Sequence, residues 1–298
     1  MLVLRGEAVK IAGMIRSVLL ALILFVAAAG APAQAIVRGV EATNRDGLRQ
    51  FVVRIESDQG EMCSGVLTAA DLIVTAAHCL LADTQYEVFA LDRRGRTIRR
   101  GVLAQALHPS FDGTAPPRRQ PGIDLAVLRL DAPLGQEFTP LPLRRTNTPM
   151  PGEDVTLAGF GTTAFGKRET ARKLRYTYLR IRGEMQIGNT MLMASDSERE
   201  SQRTGAGACQ GDSGGPILRG DPGRFSLLGL VSWSSGATSE RSGAACGGST
   251  AITPLTPHLG WIEARMRELR AIDSSVSTSV RLPPLGRDDS NEWIEWAD

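Results

Sequence analysis

Short apolar runs bounded by turn residues recur along most of the chain. Phe51-Val52-Val53-Arg54-Ile55, Leu72-Ile73-Val74-Thr75, Ala126-Val127-Leu128-Arg129-Leu130, Val155-Thr156-Leu157-Ala158 and Leu227 to Trp233 are the clearest. Asp58-Gln59-Gly60 and Pro151-Gly152 are turn sequences between such runs. Many short β-prone runs with regular turn signals predict a sandwich or barrel. Gly113 to Gly122 is punctuated by proline and glycine and predicts a loop. No internal repeat is visible. One helix is expected late in the chain, with Thr256 as its cap and Pro257 at its first position. Leu259, Ile262, Met266 and Leu269 then share a face, and Gly260 weakens the helix slightly. Residues 271–298 read as an acidic tail, with Arg281 and Arg287 set against six acids. Leu282-Pro283-Pro284-Leu285 should be extended. Terminal segments of this kind are usually disordered, and disorder is the expectation here. Docking through Trp293, Ile294 and Trp296 is the alternative.

The N-terminus has a different pattern. Arg5, Lys10 and Arg16 precede an apolar run from Val18 to Gly30, and Ala33-Gln34-Ala35 follows it. The run is too short to span a bilayer comfortably. Positive residues, an apolar stretch and a small-residue cleavage site together predict a secretory signal peptide over residues 1–35, with Met14 as a second candidate start. An uncleaved anchor is the disfavoured alternative. Cleavage after Ala35 leaves a chain that begins at Ile36, has no net charge and has no stable membrane span. Export places it in a secreted or periplasmic compartment, where disulfides persist.

Composition narrows the classes further. Of 298 residues, 42% are hydrophobic and 22% charged, which is globular. The 32 glycines suit a turn-rich all-β fold better than a helix bundle. A net charge of +2 gives no basic field for nucleic acid. Four cysteines are too few for a coreless disulfide scaffold and allow three pairings. Metal, nucleotide and haem motifs are absent, so no cofactor is expected.

Three motifs carry the chemistry: Thr75-Ala76-Ala77-His78-Cys79, Asp124-Leu125-Ala126-Val127-Leu128, and Cys209-Gln210-Gly211-Asp212-Ser213-Gly214-Gly215-Pro216. A serine hydroxyl is a poor nucleophile unless a base titrating near neutrality is held beside it by a third group. Ser213, His78 and Asp124 supply those three types. Gly211 to Gly215 also fits G-x-S-x-G, the nucleophile turn of α/β-hydrolases. That fold needs the order Ser, acid, His, and only His258 follows Ser213 here.

The three motifs, in this order, closely resemble those of the trypsin/chymotrypsin-like serine proteases, from Ile36 to about Ala271. The resemblance implies two six-stranded antiparallel β-barrels and a C-terminal helix in a domain over residues 36–270. His78 and Asp124 would come from the first barrel and Ser213 from the second. It implies a His78–Asp124–Ser213 triad that forms an acyl-enzyme. The backbone N–H groups of Gly211 and Ser213 would form the oxyanion hole. It selects the pairings Cys63–Cys79 and Cys209–Cys246. Ile36-Val37-Arg38-Gly39 resembles the family's mature start, whose freed amine pairs with the aspartate before the nucleophile, here Asp212. Signal peptidase would create that amine directly; a separate processing step is the rival.

Gly207 stands at the pocket floor, where trypsin-like members carry an aspartate, and Ala208 follows it. Ser232-Trp233-Ser234 matches the strand that binds substrate backbone, with Ser234 narrowing the entrance. The resemblance therefore implies protein or peptide substrates cut after small or medium uncharged residues. His108 matches a strand-end motif without a catalytic role, and His258 reads as polar surface. A catalytically silent binding homologue and an esterase are the alternatives. Oligomeric state is left open by the sequence.

Overall fold

The computed structural model describes residues 36–82, 84–239, 246–273 and 280–282. The expected signal peptide lies outside them, as does most of the tail. Fourteen strands form two sheets among the described residues, each closed into a six-stranded antiparallel barrel with one added strand.

The first barrel uses β2 (Val52–Ser57), β3 (Met62–Ala69), β4 (Leu72–Thr75), β5 (Tyr86–Leu91), β6 (Thr97–Leu107) and β7 (Ala126–Leu130). The order β6-β5-β2-β3-β4-β7 closes because β7 also pairs with β6. The second uses β8 (Asp154–Gly159), β9 (Arg175–Gln186), β10 (Thr190–Ser195), β11 (Pro216–Arg219), β12 (Ser226–Ser234) and β13 (Ser249–Pro254). It closes through β8–β9. The short β1 (Val40–Glu41) pairs with β9, so the N-terminal segment lies on the second barrel. Closure leaves each sheet without a long free edge.

The five apolar runs all became strands: β2, β4, β7, β8 and β12. Their residues are buried almost throughout because each barrel is filled and the barrels pack on each other. β5 and β9 instead alternate buried and more exposed residues, the period-2 pattern of a strand with one wet face. The arginines of β9 lie largely on its outer face, which masks its strand character when apolar runs are sought.

The helix begins later than expected. Thr256–His258 form a 3-10 turn, and α1 runs over Leu259–Ala271. Thr256 does not cap it. Its hydroxyl donates to the Thr146 carbonyl at 3.1 Å and accepts from the Thr146 amide at 3.3 Å, tying the helix entrance to the inter-barrel connection. Leu259, Ile262 and Leu269 are buried, and Met266 packs against the same core as the first barrel. Arg129 of β7 donates to the Leu269 carbonyl at 2.7 Å, placing a cation at the negative end of the helix. His258 does not lie on the polar surface as expected. It is half-buried, edge-on to His108 at 5.4 Å, and His108 packs on Trp261 at 4.9 Å. Burial lowers the His258 pKa.

Part of the tail departs from the expectation of disorder. β6 pairs with β5 over residues 97–101 and with β7 over residues 102–107. This leaves β6 with a bare edge just beyond the end of β5. Val280–Arg281 fill it as β14, parallel to β6 opposite Ala104 and Gln105. The Leu282 amide donates to the Gln105 carbonyl at 2.9 Å. Arg281 donates to the carbonyls of Leu80 and Leu81, at 3.4 and 2.9 Å, in the segment that follows His78 and Cys79. Val280 and Leu282 pack on the first-barrel core. Arg281→Ala should destabilise the fold by about 1 kcal/mol and lower Tm by about 2–4 °C, and ending the chain at Asp273 should lower it further. Thermal unfolding of the three chains checks this, and equal midpoints would show that β14 contributes nothing.

Candidate active site

His78 lies in a 3-10 turn, Ala77–Cys79, directly after β4. The Cys63–Cys79 disulfide ties that turn to β3. Asp124 sits just before β7, is 1% exposed, and is reached by three donors. Its Oδ1 accepts from the His78 amide at 3.0 Å, and its Oδ2 accepts from His78 Nδ1 at 2.8 Å and from the Ser232 hydroxyl of β12. An ionised carboxylate only accepts, so Nδ1 carries the proton and Nε2 is left as an acceptor. Burial works to raise the Asp124 pKa, but the His78 charge and these hydrogen bonds outweigh it and hold the carboxyl below the usual range. Burial works to lower the His78 pKa, while Asp124, through charge and hydrogen bond, and Glu61 together raise it.

Cys63, His78 and Cys79 also place ligand atoms within 4.8 Å of one another. Both sulfurs are committed to the disulfide, so neither offers a thiolate to a metal.

Ser213 follows a tight turn that only glycine allows. Gly211 and Gly214 adopt φ +93° and +75°. A side chain at 214 would sit 2.1 Å from Thr75 Oγ1 and 2.4 Å from the Ser64 carbonyl. The turn is thus pressed against the segment that leads into His78. Ser64, fully buried on β3, holds it there. The Ser64 amide donates to the Ser213 carbonyl at 2.8 Å, and its hydroxyl donates to the Gly211 carbonyl at 2.8 Å and accepts from the Phe160 amide at 3.0 Å. Among the described residues, the Ser213 hydroxyl makes no hydrogen bond, to His78 or to any other group. The amides of Gly211 and Ser213 likewise donate to no acceptor among the described residues.

Asp212 turns inward. Its Oδ1 accepts from Gly161 at 2.8 Å and its Oδ2 from Cys209 at 2.9 Å. A Cβ at Gly161 would lie 2.5 Å from the Asp212 Cγ, and one at Gly159 would lie 2.3 Å from its Oδ1, so only glycine fits beside the carboxylate. No cation within 4 Å pairs with Asp212 among the described residues. Burial pushes its pKa up to about 7, against the two amide hydrogen bonds and the more distant Arg175.

The other expected residues fall around these groups. Val37 exchanges backbone hydrogen bonds with Gly207 at 3.2 and 3.3 Å, which sets the N-terminal segment beside the expected pocket floor. Ile36 is fully buried in the second-barrel core. Ala208 is buried and donates to Thr250 Oγ1 at 3.2 Å. The Cys209–Cys246 disulfide joins the segment before Ser213 to the one before β13. Trp233 and Ser234 are half-buried at the end of β12, whereas Ser232 is buried and directs its hydroxyl at Asp124. Residues 240–245 lie outside the described residues. The reading of the sequence missed Ser64, Gly159, Gly161 and the role of the Ser232 hydroxyl. Gly159-Phe160-Gly161 is a visible signal for close backbone packing, but nothing local says that Asp212 is what it packs against.

Comparison with known proteins gives one answer. The family model described as Trypsin matches residues 36–259. Trypsin alpha-4 of Lucilia cuprina is 31% identical over 191 residues, covering 62% of this chain and 72% of that protein. A trypsin of Saccharopolyspora erythraea is 28% identical over 219 residues, covering 67% and 87%. Among solved structures, human heparin binding protein is 26% identical with a TM-score of 0.59, covering 78% of this chain and 97% of that one. Neuropsin, a mouse brain serine protease, shares the fold at a TM-score of 0.60 and 23% identity, covering 77% and 99%.

The buried Asp212 sets a pH dependence for any chain still extended before Ile36. At low pH the folded and unfolded states both hold its proton. As pH rises from about 4 to about 7 the unfolded chain releases the proton while the fold retains it, so this group costs stability on the order of 4 kcal/mol and then levels off. Urea unfolding of the uncut chain at pH 4.5 and pH 7.5, beside Asp212→Asn, measures it. The variant should lose less stability between the two pH values, and an unchanged difference would show that Asp212 is ionised throughout.

Proposed function

The chain belongs to the trypsin family of serine-type endopeptidases, and from that premise we propose that His78, Asp124 and Ser213 cut peptide bonds through an acyl-enzyme. The observation that carries this is the Nδ1 hydrogen bond from His78 to a buried Asp124. It leaves Nε2 to take the Ser213 proton as the hydroxyl attacks the scissile carbonyl. The bond from Ser213 Oγ to carbon forms, and the carbonyl π pair moves onto oxygen. The amides of Gly211 and Ser213 have no acceptor among the described residues and suit that oxyanion. One such donor contributes about 3–4 kcal/mol in the transition state. Collapse expels the amine, which receives the proton held at Nε2. Water then repeats the sequence and frees the acid. Asp124 stays ionised and stabilises the imidazolium, and Ser232 helps hold it so.

Gly207 and Ala208 put no charge at the expected pocket floor, which supports cleavage after small or medium uncharged residues. The signal-peptide pattern and the two disulfides support export. Activation follows from Ile36 and Asp212. Ile36 has φ +49°, an unfavourable value for a β-branched residue, and that torsion exists only while the bond to Ala35 is intact. Cutting the bond removes it and creates an ammonium for the buried Asp212. A binding homologue is the second reading, because human heparin binding protein shares the fold; the filled His78–Asp124–Ser213 set argues against it. An esterase reading is separated by its lack of peptide turnover.

Protein beginning at Ile36 should cleave a peptide mixture after small or apolar residues, mapped by mass spectrometry. Ser213→Ala should lower kcat by about 10⁴-fold or more, and Ser232→Ala should lower kcat/KM by roughly tenfold. One extra residue before Ile36 should nearly abolish activity. Activity should also fall at alkaline pH, as an amine with an ordinary pKa of about 8, raised by pairing, loses its proton. Cuts after Arg or Lys would overturn the pocket assignment. Full activity of the extended chain would overturn the activation step, and no Ser213-dependent cuts would overturn the enzyme.

A further inference from the structure

β11 pairs with β12 only along residues 226–230, and Val231 then bonds to the nucleophile turn. The Gly214 amide donates to the Val231 carbonyl at 2.7 Å, and the Val231 amide donates to the Gly215 carbonyl at 2.9 Å. Beyond that point Ser232–Ser234 have β13 on one edge and no strand on the other among the described residues. An open strand edge beside the nucleophile is a template for an extended peptide. The far end of this edge is covered by a cation. Arg118, in the 3-10 turn Pro117–Arg119, donates through Nη2 to the Ser234 carbonyl at 2.6 Å, and its guanidinium lies over the Trp233 ring at 5.7 Å. Arg118 is exposed, and no carboxylate pairs with it among the described residues. Arg119 beside it is likewise exposed and unpaired there.

We propose that Arg118 selects peptides with an acidic side chain on the acyl side of the cut bond, two to four residues before it. The inference rests on the protease reading above and names the substrate class of that site. A peptide along Ser232–Ser234 needs the Ser234 carbonyl as an acceptor, and Arg118 occupies it. A carboxylate presented there accepts the planar guanidinium bidentately and draws it off the carbonyl, so one contact pairs the charge and releases that carbonyl. A neutral side chain must displace Arg118 without that exchange, and a basic one adds like-charge repulsion. Ser234 is two residues along the strand from Ser232, about 7 Å at the rise of a β-strand, which sets the position. The floor at Gly207 and Ala208 carries no charge, so charge selection by the acyl side falls to this edge.

The test uses protein beginning at Ile36 and peptides that share one cleaved residue but carry Glu, Gln or Lys two, three or four positions before the bond. The wild type should cut the best Glu peptide with a kcat/KM about tenfold above its Lys counterpart, and raised salt should shrink the ratio. Arg118→Glu should invert the ratio. Arg94→Glu, an equal change in net charge on the exposed turn between β5 and β6, should leave it as in wild type. Because the ratio is taken within one variant, altered stability or overall activity cancels. Cleavage with no Glu-over-Lys preference, or a preference that survives Arg118→Glu, overturns the assignment of Arg118 alone. An equal shift with Arg94→Glu reassigns the preference to the net field and also overturns it. No Ser213-dependent cleavage of any peptide overturns the protease reading and this inference with it.

Discussion

A carboxylate cannot be taken out of water for nothing, and Asp124 is almost wholly out of it. Its burial is tolerable only because three donors reach it, and they come from both barrels. The first barrel supplies the amide and ring of His78, and the second supplies the Ser232 hydroxyl. Parting the barrels would leave a nearly buried charge without one of its partners, which is among the costlier defects a fold can carry. The same requirement fixes the imidazole tautomer. The electrostatic need of one side chain therefore couples the docking of two barrels to the tautomer of His78.

Ser64 performs a complementary task with neutral groups. From β3 of the first barrel it holds the carbonyls of Gly211 and Ser213 and receives the Phe160 amide, all in or beside the second barrel. The carbonyls of the turn are thus engaged, while the amides of Gly211 and Ser213 have no acceptor among the described residues. Glycine at 214 is dictated by this contact, because a side chain there would overlap Thr75 and the Ser64 carbonyl. The turn that presents Ser213 is shaped from outside by the other barrel as much as by its own residues.

Asp212 is the unbalanced counterpart of Asp124. It is fully buried and has two amide donors but no close cation among the described residues, and its pKa of about 7 registers the deficit. A carboxyl in that condition gains stability from any cation brought beside it, and Val37 bonds to Gly207 on the segment that leads to it. Asp124 has its cationic or donor partners within the fold, whereas Asp212 lacks a close cation among the described residues.

Much of this was readable in the chain itself. The apolar runs marked five strands because their residues are buried whichever face they present. The three short motifs pointed to His78, Asp124 and Ser213 because such chemistry needs those residue types, and their order excluded the α/β-hydrolase alternative. Long-range pairing was not readable. β6 and β9 carry too many arginines to register as apolar runs, yet they close the barrels through backbone hydrogen bonds that sequence hydropathy does not report. Thr256 has the chemistry of a helix cap, but a partner 110 residues away at Thr146 took its hydroxyl. The tail read as disordered from composition, and only the bare edge of β6 explains why residues 280–282 settle there. Sequence determined which groups can react, because reactivity resides in residue type. Tertiary structure decided which of them are dry, which are paired and which are left wanting a partner, because burial and hydrogen bonding are set by chain segments far apart in sequence.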